Sequence, residues 1–453
     1  MLLEELYVAG LFGTFVLLLM TGFPVAWVLG GTSVIWTVIG VLSVEQFGAD
    51  LWFDYDSSLA LLPERIWGNV ESQALVALPM FTFMGIMLDQ SGIAERLMHD
   101  MVRLFGRVRG GYAVTVIIIG VLLAATTGII GASVVLLGML SLPTMMENNY
   151  SRSFAAGTVC ATGTLGILIP PSIMLVMMAD RLATPEASVG ALFMGAFIPG
   201  LMLGLLYIAY AIIRPLFQPS IAPTPANPER ITLRLVFDTV LAIVPTAVLI
   251  LSVLGSIFMG IATLTEASGV GAFGALLLAA LNGRLTLPVL RRSLYATTRT
   301  TAFIFGIFLG ATAFSVVLRG LGGDEVIEAA LLGLPFGPNG IVIAILFAVF
   351  ILGFFLDWIE ITLIVLPLVA PAVQQLGFDL VWFTILFAIC LQTSFLTPPV
   401  GFALFYIKGV APPEITVLDI YKGVVPYILI QLFALALVFV FPALAVWLPA
   451  ISR

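Results

Sequence analysis

"LGILIPPSIM", residues 165–174, places Pro170 and Pro171 side by side in a run with almost no polar side chains. Proline removes a backbone donor and clashes with the preceding turn, which costs a helix interior about 3 kcal/mol. A second Pro-Pro pair stands in "QTSFLTPPVGF", residues 392–402, near the other end of the chain. Each pair predicts a point at which a long apolar helix is interrupted.

The composition is that of an integral membrane protein. The chain of 453 residues is 61% hydrophobic and 9% charged, whereas a soluble domain carries about 25% charged residues. Apolar stretches of about 20 residues recur throughout, and each is long enough to cross a hydrocarbon core. Because strict alternation is absent, helices are favoured over a barrel. The acidic start, with Glu4 and Glu5, favours a retained span over a signal peptide.

The distribution of arginine predicts the orientation, since Lys and Arg mark cytoplasmic loops. Residues 95–111 and 283–299 are rich in arginine and should be cytoplasmic, whereas the acidic segments 43–58 and 322–330 should lie outside. This arrangement places both termini in the periplasm. The predicted spans are 6–22, 24–44, 74–91, 152–180, 189–213, 233–256, 263–281, 298–318, 380–408 and 426–449.

Two further apolar segments, 112–146 and 340–373, return to the side from which they start and are predicted to be re-entrant helical hairpins. Each hairpin is followed by a span that contains a Pro-Pro pair, so the chain carries a repeat. The first hairpin opens from the cytoplasm and the second from outside, which gives the repeats inverted topology. The predicted fold is an all-α polytopic membrane protein with about ten transmembrane helices and two re-entrant hairpins.

This interpretation divides the chain into scaffold segments, two repeats and a linker. The predicted domains are 1–110 (N-terminal scaffold helices), 111–213 (first transport repeat, with hairpin 112–146 and broken helix 152–180), 214–232 (cytoplasmic linker), 233–339 (second scaffold segment), 340–425 (second transport repeat, with hairpin 340–373 and broken helix 380–408) and 426–453 (C-terminal helix).

Broken helices in two inverted halves predict the binding site of a transporter. Non-helical backbone at membrane depth is tolerated only where it is buried in protein or lines a cavity. A single break would be no more than a kink, but the paired arrangement favours a function. Asp357 is a functional candidate because a carboxylate inside a span is costly, unless it is solvated at the hairpin mouth. The oxygen-bearing residues at the breaks are Thr126, Thr127, Ser133, Thr162 and Thr164 in the first half, and Asp357, Thr362, Gln392, Thr393, Ser394 and Thr397 in the second.

The segments "ATTGIIGASVVLLGMLSLP", "GIATLTEASGVGAFGAL" and "TPPVGFALFYIKGVAP" resemble the large membrane subunit of tripartite ATP-independent periplasmic (TRAP) transporters, the DctM-like family. The resemblance covers nearly the whole chain. It implies an elevator-type symporter of the bacterial inner membrane that uses a Na⁺ gradient to import a small organic acid. It also implies two partners, a periplasmic substrate-binding protein and a separate small four-helix membrane subunit.

The resemblance also implies which residues bind the ion and the substrate. One Na⁺ site would be formed by Gly128, Gly131, Ser133, Thr162, Gly163 and Thr164, and the other by Gly353, Asp357, Gln392, Thr393 and Ser394. The substrate would lie between the hairpin tips, against Thr127, Gly128, Ser133, Thr164, Pro170, Pro171, Thr397, Pro398 and Pro399.

Three features depart from the family pattern or stand outside it. The first hairpin tip reads "TTGIIGAS" where many relatives are rich in serine, and "TLTE" at 263–266 replaces Thr-Pro-Thr-Glu. Glu266 of that motif either orients a hairpin or lies at the membrane interface. The acidic, aromatic segment 45–70, with Trp52, Phe53 and Tyr55, is predicted to dock the binding protein.

Other function classes find less support in the sequence. With one histidine the chain has no HExxH pair, and it has neither a GxSxG turn nor a P-loop, which argues against an enzyme and against an ATP-driven pump. A channel usually repeats by oligomerising around an axis, whereas here the repeat is internal. A carrier that works without a binding protein stays as the alternative.

Overall fold

The computed structural model of the protein describes residues 2–47, 55–105, 108–128, 130–224 and 232–452. Within these ranges the regular elements are all helical, which confirms the predicted all-α class. The N-terminal helices are α1 (Leu2–Leu19), α2 (Val25–Phe47), α3 (Tyr55–Glu71), α4 (Gln73–Gln90) and α5 (Ile93–Phe105). Of the segment predicted to dock the binding protein, residues 48–54 lie outside the described part, and so do the side chains of 55–60.

The first repeat is a hairpin followed by a broken helix. The hairpin consists of α6 (Gly111–Thr127) and α7 (Ile130–Glu147), and the broken helix of α8 (Arg152–Thr164), a 3₁₀ turn (Leu165–Ile167) and α9 (Ile173–Leu182). The interruption falls at 168–172, where the sequence has its first Pro-Pro pair.

The middle of the chain forms five helices in the described ranges. These are α10 (Val189–Phe217), α11 (Leu233–Phe258), α12 (Leu264–Leu281), α13 (Leu287–Gly320) and the short α14 (Gly323–Leu332), with 3₁₀ turns at Pro185–Ala187 and Pro219–Ile221. With 34 residues, α13 is about 51 Å long, longer than the membrane core.

The second repeat has the same order of elements as the first. Its hairpin consists of α15 (Pro338–Leu352), α16 (Trp358–Glu360), a π-helical segment (Ile361–Val365) and α17 (Leu366–Gln375). The broken helix follows as α18 (Leu380–Leu396) and α19 (Phe402–Val410), and the chain continues with α20 (Val417–Val440) and α21 (Ala443–Ile451). The second interruption, 397–401, again contains the Pro-Pro pair.

Eight helices in the described ranges are long and apolar enough to cross a membrane, or nine if the pair Leu61–Glu71 and Ala74–Gln90, bent by 48°, forms one span. The predicted spans 152–180 and 380–408 are not among them because each is split into shorter pieces. The second arms of the two hairpins, Ile130–Glu147 and Trp358–Gln375, do have the length of a span. Length alone therefore does not identify which segments turn back within the membrane.

Several predicted boundaries are wrong. The arginine-rich segment 95–111 is not a loop throughout, because α5 extends from Ile93 to Phe105. The arginine-rich segment 283–299 is not a loop, because Thr286 caps α13 and the helix starts at Leu287. The linker does not start at 214, since α10 continues to Phe217. The C-terminal helix does not start at 426: Thr416 and Asp419 form a capping box that starts α20 nine residues earlier.

Close approach of glycines holds the broken helix to α20. Gly157 of α8 lies directly against the backbone carbonyl of Gly423 of α20, so neither position has room for a Cβ atom. Next to this contact, the hydroxyls of Thr158 and Tyr427 are 2.7 Å apart and form a hydrogen bond. Small residues and buried hydroxyls are the usual means of tight helix packing in membranes, and here they position α8 for the site at its C-terminal end.

Candidate functional site

The tip of the first hairpin lies against the first helix break. Gly128 adopts the left-handed conformation with φ of 58°, and a Cβ at this position would lie 3.1 Å from the backbone nitrogen of Ile173, the first residue of α9. Pro170 and Pro171 are buried, and the Ser172 hydroxyl donates a hydrogen bond of 2.6 Å to the carbonyl of Ile167. The structure thus brings hairpin tip and break together.

The C-terminal end of α8 packs on the second arm of the same hairpin. A Cβ at Gly163 would lie 3.0 Å from the backbone nitrogen of Val134, the neighbour of the buried Ser133. Thr162 is fully buried, and its hydroxyl has no hydrogen-bond partner among the residues that the structure describes. This hydroxyl oxygen is therefore available to a ligand.

The second helix break is more exposed than the first. Pro398 is half-buried and Pro399 exposed, in contrast to the buried first pair. The Thr397 hydroxyl donates to the carbonyl of Thr393 at 2.7 Å, and the Tyr421 hydroxyl donates to the carbonyl of Pro399 at 2.9 Å. The two breaks correspond in sequence but are not equivalent in their surroundings.

The tip of the second hairpin lies against α18. A Cβ at Gly353 would lie 2.8 Å from the Cβ of Ser394, so the tip packs on the last turn of that helix. Asp357 is half-buried and starts α16, because its carboxylate accepts a hydrogen bond of 2.8 Å from the backbone nitrogen of Trp358. This carboxylate therefore lies at the break between the two arms of the hairpin.

The two repeats meet at a buried cluster of polar side chains. The amide nitrogen of Gln392 lies 3.3 Å from the Thr164 hydroxyl, and that of Gln431 lies 3.4 Å from it. All three side chains are fully buried. The Thr164 hydroxyl donates in turn to the carbonyl of Ala161 at 2.8 Å. Thr164 of the first repeat and Gln392 of the second, both predicted from the sequence, are thus in direct contact.

Several buried oxygens around these breaks lack a partner in the described part of the chain. Besides Thr162, they belong to Thr362, Gln392, Gln431 and Glu360. A buried polar atom without a hydrogen bond costs about 1–3 kcal/mol, and such atoms are few in native proteins. Four of these five residues carry neutral oxygens, and together with the carboxylate of Glu360 they are of the type that binds a small, hard cation.

Three residues of this region were not predicted from the sequence. Glu360 is 2% exposed and stands three residues after Asp357, just before the π-helical segment. Two acidic residues three positions apart in an apolar run were the sequence signal from which it could have been predicted. Tyr406 of α19 contacts Gly131 of the first tip and lies within electrostatic reach of Asp357 of the second. Gln431 comes from α20, and only the tertiary fold reveals its contact with Thr164.

The remaining candidate residues either have structural roles or have side chains that the structure does not describe. Glu266 is exposed and forms a capping box with Thr263, accepting a 2.8 Å hydrogen bond from its backbone nitrogen, so it starts α12. His99 is exposed beside Asp100. For Thr126 and Thr127 the backbone is helical, but their side chains are not described. Cys160 and Cys390 are both buried and free.

No group of three His, Cys, Asp or Glu side chains that could hold a metal ion lies in the described ranges.

The family model of the tripartite ATP-independent periplasmic transporter, DctM component, matches residues 12–444. The chain belongs to this family. The resemblance found in the motifs is therefore confirmed, and the chain is a multi-pass membrane subunit of a TRAP transporter rather than an enzyme.

Two relatives and a solved structure extend this assignment. The chain is 28% identical over 466 residues to the C4-dicarboxylate TRAP transporter large permease protein DctM of Vibrio cholerae, covering 98% of each chain. It is 29% identical over 435 residues to the isethionate TRAP transporter permease protein DctMQ of Oleidesulfovibrio alaskensis, covering 96% of this chain and 65% of that protein. The crystal structure of the Alcanivorax borkumensis YdaH transporter superposes with a TM-score of 0.62 over 88% of this chain and 90% of that one, at 15% identity, and so shares the fold.

Proposed function

We propose that this TRAP subunit is the large permease of a Na⁺-driven importer of a small organic acid in the bacterial inner membrane. The observation that carries the proposal is the contact between the two broken repeats, where Thr164 meets Gln392 among buried oxygens without partners in the described chain. The side chains that meet at this contact, Thr164, Gln392 and Gln431, are uncharged, whereas a catalytic site needs a nucleophile next to a base. Neutral oxygens at a helix break are instead the ligands that transporters offer to Na⁺.

The Na⁺ ions would be held at the two hairpin tips. In the first repeat, Gly128 lies against the start of α9, and the buried residues Ser133 and Thr162 are next in sequence to Val134 and Gly163, which are in close contact. In the second repeat, Gly353 packs on Ser394, and Asp357 supplies the only carboxylate of the predicted set. The positive charge of the ion favours this arrangement because unwound carbonyls and the C-terminal ends of half-helices carry partial negative charge.

The substrate proposed is a small organic anion. Two of the relatives with which the chain aligns are named for a C4-dicarboxylate and for isethionate, and both are small acids that are ionised at neutral pH. At the first break, α9 starts at Ile173 beside the hairpin tip, and at the second, α19 starts at Phe402. Helix N-termini carry partial positive charge and attract carboxylates, so a substrate between the tips would be held by these ends.

An elevator motion is proposed for the transport step. Each hairpin packs on the broken helix of its own repeat, and Tyr406 joins the second broken helix to the first hairpin through Gly131. In the proposed mechanism, these contacts keep the two repeats together while they move as one body. The long α13, together with α2, α4 and α12, would provide the fixed scaffold, completed by a separate small four-helix membrane subunit. A periplasmic binding protein would deliver the acid.

Uptake by the reconstituted complex tests this proposal. Proteoliposomes containing the chain and its small subunit receive the purified binding protein and radiolabelled succinate, with an inward gradient of Na⁺ or of K⁺. Concentrative uptake only with Na⁺ and binding protein is the expected result, and Asp357→Ala should abolish it. Uptake without the binding protein would instead support an autonomous carrier, and equal uptake in K⁺ would refute Na⁺ coupling. Glu266→Ala, at an exposed helix cap, serves as the control variant.

A further inference from the structure

A large cavity, lined by charged, polar and apolar side chains, lies apart from the helix breaks. Its volume is about 790 Å³. Its walls come from α3, from the C-terminal ends of α9 and α13, and from α17. In the predicted orientation all of these ends face the periplasm. The cavity therefore opens on the side from which a substrate would arrive.

Three guanidinium groups line this cavity: Arg65 from α3, Arg181 from α9 and Arg319 from α13. Asp180 is the acidic residue of the lining. Arg319 is paired outside the lining with Asp324 at 3.2 Å, with both side chains about half exposed. Arg65 is exposed and makes no ion pair with any residue in the described ranges. Even when both aspartates are ionised, one positive charge is left over.

Arg181 is held rigidly in the wall. Its guanidinium bonds the Asp180 carboxylate at 2.6 Å and the side-chain oxygen of Asn69 at 3.1 Å. One face of the guanidinium lies 4.2 Å from the ring centre of Phe308. Asp180 in turn accepts a hydrogen bond of 2.5 Å from the Ser72 hydroxyl. A guanidinium fixed in this way is preorganised for a planar anion.

The remaining wall combines apolar side chains with several groups that can form hydrogen bonds. The hydroxyl of Thr184 is buried without a partner in the described chain and lies in the lining. Ser315 and Gln374 add further polar groups from α13 and α17. Leu363, the neighbour of Thr362 in the π-helical segment, also lines the cavity. The second hairpin therefore forms part of the cavity wall.

We infer that this cavity is a separate binding site for a small carboxylate or sulfonate, occupied before the anion reaches the site between the hairpin tips. Arg65 and Arg319 attract the anion, and Arg181 with the Thr184 hydroxyl binds its oxygens. Charge-assisted hydrogen bonds from Arg are stronger than those between neutral groups, and they match the geometry of an oxyanion. The site rests on the proposed function, because it receives the acid that the transporter carries.

The charge of the cavity can be measured independently of transport. Ser315→Cys, in the complete complex in intact cells, is treated with a negatively and a positively charged methanethiosulfonate reagent. The parent protein is the blank, since Cys160 and Cys390 are buried. We expect the anionic reagent to be favoured, and Arg65→Gln in the same background to lower the ratio of the two rates by about tenfold. Arg292→Gln is the matched control, because it removes the same charge at the other end of α13, about 35 Å from residue 315.

Protection of the introduced thiol by ligands tests binding itself. Succinate and isethionate should slow the reaction of Ser315→Cys, whereas neutral succinamide should not, and Arg65→Gln combined with Arg319→Gln should remove the protection. A rate ratio that is unchanged by Arg65→Gln, or the absence of protection by either acid, would overturn the site. Labelling that behaves as expected while uptake is absent would refute the proposed transport function and leave the anion site standing.

Discussion

Gln392→Leu is predicted to leave the Na⁺-free protein at least as stable as the wild type. The amide has one long hydrogen bond, 3.3 Å to Thr164, and its buried Oε1 has no partner in the described part of the structure. The hydrogen bond contributes about 0.5–1.5 kcal/mol and the unpartnered oxygen costs about 1–3 kcal/mol. Because leucine has a similar volume, the free energy of unfolding should rise by about 0–2 kcal/mol.

Bound Na⁺ should stabilise the wild type more than the variant. If Oε1 is a ligand, the wild type at a Na⁺ concentration about ten times its Kd gains about 1.4 kcal/mol from the ion. Gln392→Leu has lost that oxygen, and it should gain much less. The difference between the two proteins is therefore expected in the response to Na⁺ rather than in the intrinsic stability.

Thermal unfolding of the complex in nanodiscs measures both effects, with NaCl exchanged for KCl at constant ionic strength. The matched control is Thr115→Val, since Thr115 is also fully buried with an unpartnered hydroxyl in the described chain but lies at the start of α6. It should keep the full Na⁺ response. The reasoning is refuted if Gln392→Leu keeps that response too, or if it is destabilised in KCl by more than about 0.5 kcal/mol.

Two further predictions concern the ion ligands and the helix packing. Thr162→Val and Thr362→Val each remove a buried hydroxyl without a partner in the described ranges, so each should raise the Na⁺ concentration for half-maximal uptake by about tenfold, equivalent to about 1.4 kcal/mol; an unchanged value would contradict the assignment. Gly157→Val should lower the free energy of unfolding by about 1–3 kcal/mol, because its Cβ would overlap the carbonyl of Gly423. Gly306→Ala, with open space around it, is the control for thermal unfolding, and equal melting temperatures for both variants would exclude the packing argument.

The interruptions of the fold could be predicted from the sequence because proline acts locally. Both Pro-Pro pairs fall within the observed breaks, 168–172 and 397–401, and both hairpins turn where the apolar segments are interrupted. The starts of helices were harder to predict from hydropathy. The Thr416 and Asp419 capping box starts α20 before its apolar run, so its boundary depends on hydrogen bonds rather than on hydrophobicity.

Of the candidate site, only the residues next to a helix break could be predicted from the sequence. Thr164 and Gln392 were both predicted from their own helix breaks, and the structure brings them together. Gln431 and Tyr406 were missed because their positions depend on how α19 and α20 pack against the first repeat. The greater exposure of Pro399 also has no signal in the sequence, since its motif matches that of the buried first pair.

The central claim is that one site, formed by both repeats, couples Na⁺ to the organic acid. The most direct test measures influx of radioactive sodium into proteoliposomes with the binding protein and an inward gradient of unlabelled succinate. We predict that succinate drives entry of the labelled ion in the wild type, and that Gln392→Leu and Asp357→Ala abolish this entry. Succinate uptake without accompanying entry of labelled sodium, or entry that survives both substitutions, would contradict the account.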